Sequence, residues 1–509
     1  MLLIGLILVA VQIVLLGLCF LDLGKTGIIP TKYMILGICV TVLITIYNIV
    51  SQFTKAHIFG KILAVLLAIV SMLVSFYSKG FTNMLTSITE NANYKTNSIS
   101  IIVLADDPAS SIEQAASYTF GYNSLMDTQY TKDTLAEINN QLKTTVKSEP
   151  ADSWQGLIDN LYNGKFKAIV MNEAYRNNIV ELSPDFNKKT KVIFSHSIKT
   201  EVATQAAPEV NVKEKPFIIY ISGNDDEGSL SEVARSDVNI LCVLNPTTRQ
   251  VLLVSTPRDS YVDVTNNDGL TGKEKLTHAG NFGVDGSIKA LSDLFGVTIN
   301  YYARINFTGT VSLIDAMGGI TVDSEVDFVT CEDTSPIEYH FTVGPNECDG
   351  EKGLAFCRER QNFAIGDLQR GRNQMIAIRA MIDKVCSPTI LTRYTEIMNS
   401  VSDCFMTNMP QDKISALMND ILNDPTPWNV QMYNIDAYSP GEYMPSTFWG
   451  VYYSVVIPDY DSINYAIEMI AKIENGEIFD VDKFIEEKTN PTPAPATTDT
   501  NTTAPVAAN

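Results

Sequence analysis

The stretch RSDVNILCVLNPTTRQVLLVSTPRDSYV (residues 235–262) decides the fold. VNILCVLN (238–245) and RQVLLVSTP (249–257) are short apolar runs rich in β-branched residues. Runs of this kind bounded by turn residues read as buried strands. Pro246-Thr247-Thr248 between them predicts a tight turn, so the two runs form a hairpin. In a hairpin the start of one strand lies beside the end of the next. Asp237 and Asp259, with Arg258 alongside, are therefore predicted to converge. Two carboxylates with few other protein ligands suit Mg²⁺, which takes its remaining ligands from water and substrate phosphates. Strand-end ion pairs with Arg235 and Arg258 are the plainer reading of the same residues.

Downstream, EKLTHAG brings Lys275, Thr277 and His278 after a glycine-containing loop. Residues 284–295 and 308–317 read as helices, and INYYARINF (299–307) as a strand between them. Further helices are expected over 350–360, 367–386, 389–404, 411–423 and 461–474, with strands at 428–437 and 448–457. Strands alternating with helices define an α/β domain, here 213–478. GLAFCRERQNFAIGDLQRGRNQ (353–374) concentrates Arg358, Arg360, Arg370 and Arg372, although the chain has only 11 arginines and a formal charge of −21. On a helix Arg358 and Arg360 would stand about 200° apart, so the helix is expected to end there and present both in extended backbone. Asp367, Arg370 and Gln374 share one helical face, and Arg372 points elsewhere. Asp367 after Gly366 also reads as an N-cap. Arginine forks bind phosphate oxygens in bidentate fashion. Arg258, Arg358, Arg360 and Arg370 with one Mg²⁺ could hold a pyrophosphate, and phosphoryl transfer needs mainly positioning and charge stabilisation. No Walker A motif and no nucleophile elbow is present, so neither a nucleotide donor nor a serine hydrolase is expected.

Upstream, residues 98–205 alternate strands (98–105, 166–172, 190–197) with helices (130–143, 153–163) and predict a small accessory α/β domain without a catalytic constellation. A polar linker is expected at 80–97. Residues 2–21, 33–53 and 62–78 are apolar and free of charge. Each approaches the ~20 residues that span a bilayer, so three transmembrane helices are predicted within 1–79. A pyrophosphate site beside membrane spans suggests a lipid-linked donor. The pI of 4.6 argues against nucleic acid as a partner. The tail 489–509, rich in Thr, Pro and Ala, is expected to be disordered. None of the eight cysteines forms a C-x-x-C pattern, and Cys331–Cys348 and Cys386–Cys404 are possible bridges. Cys357 is expected to pack.

Four ordered segments, 235–262, 275–288, 299–320 and 353–374, resemble the LytR-CpsA-Psr family, and the match covers about 213–390. The three spans and the preceding α/β segment are similar to its capsule-type members. The resemblance implies an extracellular α-β-α layered domain anchored in the cell membrane, a Mg²⁺ site and a polyprenyl-pyrophosphate pocket. It implies transfer of a glycopolymer (capsule, teichoic acid or another wall polysaccharide) from polyprenyl pyrophosphate to peptidoglycan. By the same resemblance Asp237 and Asp259 match the metal-binding acids. Arg258, Arg358, Arg360 and Arg370 match the pyrophosphate-binding arginines, with Asp367 and Gln374 beside them, and Lys275 a further basic position. Two other readings use the same residues: hydrolysis of the carrier pyrophosphate, and a non-enzymatic regulator that binds lipid carriers.

Overall fold

The computed structural model describes residues 2–90, 92–202, 210–224, 230–385 and 405–490, with Arg393, Glu396, Ile397 and Ser400 between the last two. Three apolar helices open the chain: α1 (Leu2–Thr26), α2 (Thr31–Ser51) and α3 (His57–Glu90). All three are long and apolar enough to cross a membrane. At 34 residues α3 outruns the span expected from its sequence. At about 1.5 Å per residue it exceeds a hydrocarbon core of roughly 30 Å. Residues 80–90, expected as a linker, are its last turns, and the first strand already begins at Tyr94. The reason is apolar: Phe81, Leu85 and Ile88 recur at helical spacing and are buried against Phe405, Ile414 and Met418.

A five-stranded sheet follows, built from β1 (Tyr94–Leu104), β2 (Thr119–Asn123), β3 (Lys147–Ala151), β4 (Ala168–Asn172) and β5 (Thr190–Glu201) in the order β3-β2-β4-β1-β5. Helices α4 (Thr128–Leu142), α5 (Trp154–Tyr162), α6 (Arg176–Leu182) and α7 (Phe186–Lys189) connect its strands. Strands β2 and β3 carry Gly121 and Pro150, which hid them from a reading based on apolar runs.

The second sheet has six strands. They are β6 (Phe217–Asn224), β7 (Val238–Asn245), β8 (Gln250–Ser255), β11 (Tyr301–Asn306), β16 (Phe405–Thr407) and β17 (Asn429–Asn434), in the order β16-β11-β6-β7-β8-β17. The predicted hairpin is β7–β8, antiparallel with Ile240 opposite Ser255 and Asn245 opposite Gln250. Its turn is set by Asn245, whose Oδ1 accepts from the backbone N–H and hydroxyl of Thr247 at 3.0 and 2.7 Å. Arg249 then takes a left-handed conformation (φ 51°), held by Asp420 and Asp424 at 3.3 Å and by the Trp428 ring.

A short ribbon, β9 (Tyr261–Thr265) and β10 (Thr271–Lys275), leads into α8 (Leu276–Ala279) and α9 (Val284–Phe295). Helix α10 (Phe307–Ala316) follows β11. Then come β12 (Ile320–Ser324), β13 (Phe328–Val329), β14 (His340–Phe341), β15 (Gly344–Cys348), α11 (Gly350–Arg358) and α12 (Asp367–Val385). Helices α13 (Gln411–Asn423), α14 (Tyr460–Glu474) and α15 (Val481–Thr489) close the described chain. One face of the sheet (Tyr220, Leu241, Leu252, Val254) packs with α9 and α14. The other (Ile240, Cys242, Leu253) packs with Met375 of α12, which gives the three α-β-α layers.

Several expectations need correction. Cys331 and Cys348 are free thiols. The ladder partner of Cys348 is Ile320, whereas Cys331 lies beyond the separate β13–β14 pair with its Sγ 3.2 Å from the Thr334 hydroxyl. Residues 448–457 form no continuous strand: Tyr452–Tyr453 pairs with Met444–Pro445 across a turn that holds Gly450 at φ 69°, and Ile457–Pro458 pairs separately with Ala437–Tyr438. The Cys386–Cys404 bridge, the helix 389–404 and residues 491–509 of the tail lie outside the described residues; Thr489 ends α15.

Candidate functional site

The site stands at one end of the central strands of the second sheet, where β6 ends, β7 begins and β8 ends. Asp237 is tied to β6 by its N–H, which donates to Gly223 O at 2.7 Å. Its Oδ1 accepts from Arg258 Nη1 at 2.8 Å and from the Thr277 hydroxyl at 3.1 Å. The Thr277 backbone N–H donates to Arg258 O, and the Thr277 carbonyl accepts from Ser236. Thus the THAG segment clasps the two acidic motifs together. Burial pushes the Asp237 carboxyl up, but Arg258 and Arg370 outweigh it and hold the carboxyl below its ordinary range.

Asp259 points along the ribbon and pairs with Lys275 at 3.1 Å. Lys275 also lies 5.4 Å from the centre of the Tyr453 ring. His278 is structural: buried, its Nδ1 is 2.8 Å from Glu274 Oε1, and burial holds its basicity below the usual range.

Helix α11 stops at Arg358, and Glu359 is extended (φ −59°, ψ 133°), as the Arg-x-Arg spacing required. Arg358 lies over the Phe307 ring at 4.5 Å and donates to Thr334 O at 3.0 Å. Arg360 is exposed. The residue between them was missed as a functional residue. Glu359 is fully buried, and its carboxylate accepts backbone N–H groups of Cys331 (2.8 Å), Arg360 (2.9 Å), Gln361 (2.8 Å) and Asn362 (3.2 Å). It folds the loop that aims both arginines.

Asp367 is not the N-cap but the first residue of α12, after Gly366 at φ 47°. Its Oδ1 is 2.6 Å from Arg370 Nη2 and 4.0 Å from Arg258 Nε, close charge contacts in which neither Oδ1 nor Arg258 Nε gains an aligned hydrogen bond. The charges divide unevenly. Although burial opposes its charge, Arg258 has Asp237, Asp259 and Asp367 around it and is held more strongly protonated than usual. Arg370 is pulled below its usual range by burial, and Arg258 and Arg360 add to that against Asp367 and Asp237. Burial, rather than a lack of nearby acids, is what weakens its charge.

These arginines end a cavity of about 680 Å³. Asp237, Arg258, Arg358, Arg360, Arg370 and Gln374 line its polar end; Asp259, Lys275 and Asp367 stand outside its wall. Asn224 also lines it, 2% exposed and with an Oδ1 that no protein group satisfies; nothing in its local sequence marked it. The rest is apolar. Along α12 the lining continues through Ala377, Ile378, Met381, Ile382 and Val385, with Ile219, Ile221 and Ile305 from the sheet and Leu417 and Ile421 from α13 opposite. Cys357 packs as expected but also lines the wall, its thiol pushed up to about 12 by burial.

Among the described residues no three His, Cys, Asp or Glu side chains stand together as a metal cluster. Asp237 and Asp259 both act on Arg258, next to the arginines that line the cavity. Two hard carboxylates completed by phosphate oxygens are a donor set that fits Mg²⁺.

A family model described as LytR_cpsA_psr family matches residues 179–467, beginning in α6 of the first α/β unit. A second, DNA polymerase processivity factor, matches 54–171. That span joins α3 to part of a sheet and stops before β5, the partner of β1, so it follows no folded unit. The chain is 34% identical over 216 residues to the polyisoprenyl-teichoic acid–peptidoglycan teichoic acid transferase TagU of Enterococcus faecalis, covering 42% of this chain and 68% of that one. It is 30% identical over 228 residues to TagU of Bacillus cereus, covering 44% and 71%. The crystal structure of B. subtilis TagV is similar at 24% identity and a TM-score of 0.43, covering 52% of this chain and 98% of that one. The family match extends over more than half of the 509 residues, and the chain belongs to the LytR_cpsA_psr family.

Proposed function

We propose that this chain is a membrane-anchored transferase that moves a glycopolymer from a polyprenyl-pyrophosphate carrier to peptidoglycan. The observation that carries the reading is the cavity, with a cationic end at Arg258, Arg358, Arg360 and Arg370 and apolar walls beyond it. A pyrophosphate on a long isoprenoid has that same division. Arg370, a buried guanidinium at that cationic end, can make charge-assisted bonds to an incoming phosphate. The TagU relatives are named for moving teichoic acid, and this chain takes the same class of donor and acceptor.

In the reaction an acceptor hydroxyl oxygen attacks the phosphorus that bears the glycopolymer. A new P–O bond forms as the bond to the bridging oxygen breaks, and polyprenyl phosphate leaves with that oxygen and the electron pair. The glycopolymer remains on the acceptor as a phosphodiester. The hydroxyl proton passes to a carboxylate of the cluster, for which Asp259 and Asp367 are the candidates. The arginines hold the pyrophosphate and stabilise charge that grows on the departing phosphate. Asp237 and Asp259 would hold Mg²⁺, which when bound neutralises phosphate charge. The acceptor requires the catalytic domain to face the cell wall, with the N-terminus of α1 on the other side.

The test incubates the full-length protein in lipid nanodiscs with a polyprenyl-pyrophosphate-linked oligosaccharide and peptidoglycan oligomers, and reads phosphodiester product by mass spectrometry. Arg360→Ala is expected to lower the rate by about a hundredfold or more, the usual loss when one transition-state donor is removed. Chelation of divalent cations should stop the reaction and added Mg²⁺ restore it. Undiminished transfer by a folded Arg360→Ala protein would sink the proposal. Release of oligosaccharide phosphate without peptidoglycan, at an undiminished rate, would replace it with hydrolysis.

A further inference from the structure

A second cavity, of about 460 Å³, lies where the two α/β units meet. Lys95, Asp127, Gln129 and Tyr130 line it from the first unit, and Asn267 and Asp285 from the second. We propose that this interdomain cavity binds a stretch of uncharged oligosaccharide.

Its walls are fixed in advance. Lys95, 8% exposed, pairs with Asp285 at 3.0 Å and donates to Phe282 O at 2.6 Å and Asn267 Oδ1 at 3.3 Å. The buried Asp127 accepts from Asn172 Nδ2 at 2.7 Å and Asn267 Nδ2 at 2.8 Å. Asp127 precedes α4 yet its side chain makes no capping bond, and its backbone is left-handed (φ 54°), a conformation aspartate tolerates better than most residues. The two units are also locked around the site by aromatic packing, with Trp154 stacked on Trp449 at 5.8 Å and Tyr175 edge-on to Trp449 at 5.1 Å.

The chemistry selects the ligand. Asp127, Asp268, Asp285 and Glu201 outnumber Lys95 and Lys289, so phosphate-bearing chains are repelled. Carboxylates and planar amides are the groups that hydrogen-bond sugar hydroxyls in pairs, and the partly exposed Tyr130 offers a ring for the C–H face of a sugar. The three-ligand cluster that a cation would need is absent among the described residues.

The position ties the cavity to the transfer site. The ribbon β9–β10 leaves Asp259 and Lys275 at one end, and its tip, Thr265–Asp268, forms part of the cavity wall. Five residues of strand extend about 17 Å, at roughly 3.4 Å each. A glycan a few sugars long covers that distance. The assignment of this glycan to the transfer reaction rests on the proposed function; the binding itself does not. Two sources share the chemistry: the acceptor glycan of peptidoglycan, and an uncharged wall polysaccharide on the donor.

Titration of the full-length protein in detergent with chitotetraose, followed by saturation-transfer NMR, tests the site. Parallel arms use a peptide-bearing peptidoglycan tetrasaccharide and a neutral wall-polysaccharide fragment, and the arm that binds more tightly identifies the source. Saturable binding of chitotetraose or a neutral arm is expected, weakened about tenfold by Tyr130→Ala and by Gln129→Ala, an energy of about 1.4 kcal/mol. Gln129 is exposed, so its variant decides the matter even if Tyr130→Ala misfolds. Arg360→Ala should bind the glycan normally while failing in transfer, which separates failure of this site from failure of the transfer reading. No saturable binding in any arm, or binding indifferent to both variants, overturns the proposal.

Discussion

Arg370 and Glu359 show how single side chains set the site's chemistry. Arg370 is buried, and burial pulls it below its usual range although Asp367 pairs with it at 2.6 Å. Arg370→Lys keeps the charge but loses the planar fork, and transfer should fall about a hundredfold. Arg372→Lys is the matched control: its side chain is half-exposed, 4.0 Å from Glu325 and outside the cavity wall, so transfer should be unchanged. Glu359 contributes through position. Burial pushes its carboxyl up, but the backbone N–H groups of Cys331, Asn362 and Gln361 pull it down further, below the ordinary range. A carboxyl depressed in the fold contributes stability that is complete above the unfolded value, about 4.3 for glutamate. That contribution is lost as pH falls through the lower folded value. Glu359→Gln removes the charge and turns an amide toward backbone donors, a cost of about 2 kcal/mol. Hydrogen exchange at residues 331 and 360–362 should rise about thirtyfold at neutral pH, a factor that energy implies. Unchanged exchange would remove Glu359 from its place in aiming Arg358 and Arg360.

Helix α12 is the element that joins the two chemistries of the cavity. Arg370 and Gln374 lie near its start, and Ala377, Ile378, Met381, Ile382 and Val385 continue the same face at spacings of three and four. The helix therefore runs from a cationic end to an apolar end of the cavity within one stripe. Met381 is half-buried, so Met381→Glu should leave the helix folded while placing a charge in the apolar wall. Copurified polyprenyl lipid, read by extraction and mass spectrometry, should be lost, with the Arg370 end intact to inorganic pyrophosphate. Retention of the lipid would place the isoprenoid elsewhere. The stripe itself was legible in the sequence as the face shared by Asp367, Arg370 and Gln374. The opposite wall was not, because Ile219, Ile305 and Leu417 come from three elements far apart in the chain.

At the scale of the molecule, the second α/β unit sits directly on the ends of the membrane helices. Asn419 of α13 donates to Gly27 O and Ile28 O at 3.3 Å, Lys32 donates to Asn423 O at 3.0 Å, and α3 packs Leu85 and Ile88 beside Ile414. The α1–α2 turn therefore lies on the side of the catalytic unit, and the α2–α3 turn on the other. In intact cells an impermeant maleimide should label Ser335→Cys above the parent background, and Thr54→Cys only after permeabilisation. The reverse pattern would invert the proposed orientation. The cavity shares Phe405 with the packing around α3.

The sequence by itself determined what depends on a segment's own pattern: three apolar helices, the β7–β8 hairpin, the end of α11 at Arg358 and the stripe on α12. These are local, because periodicity reports which face of a segment is buried and turn residues report where it stops. The tertiary structure decided everything that depends on which distant group arrives. It gave Asp237 to Arg258 and Asp259 to Lys275, left Cys331 and Cys348 unbonded, and continued α3 through the expected linker. It also turned Glu359 from one acid in an arginine-rich stretch into the anchor of its loop. A buried charge is governed by neighbours in space, and the chain order does not contain those distances until the sheets and helices have packed.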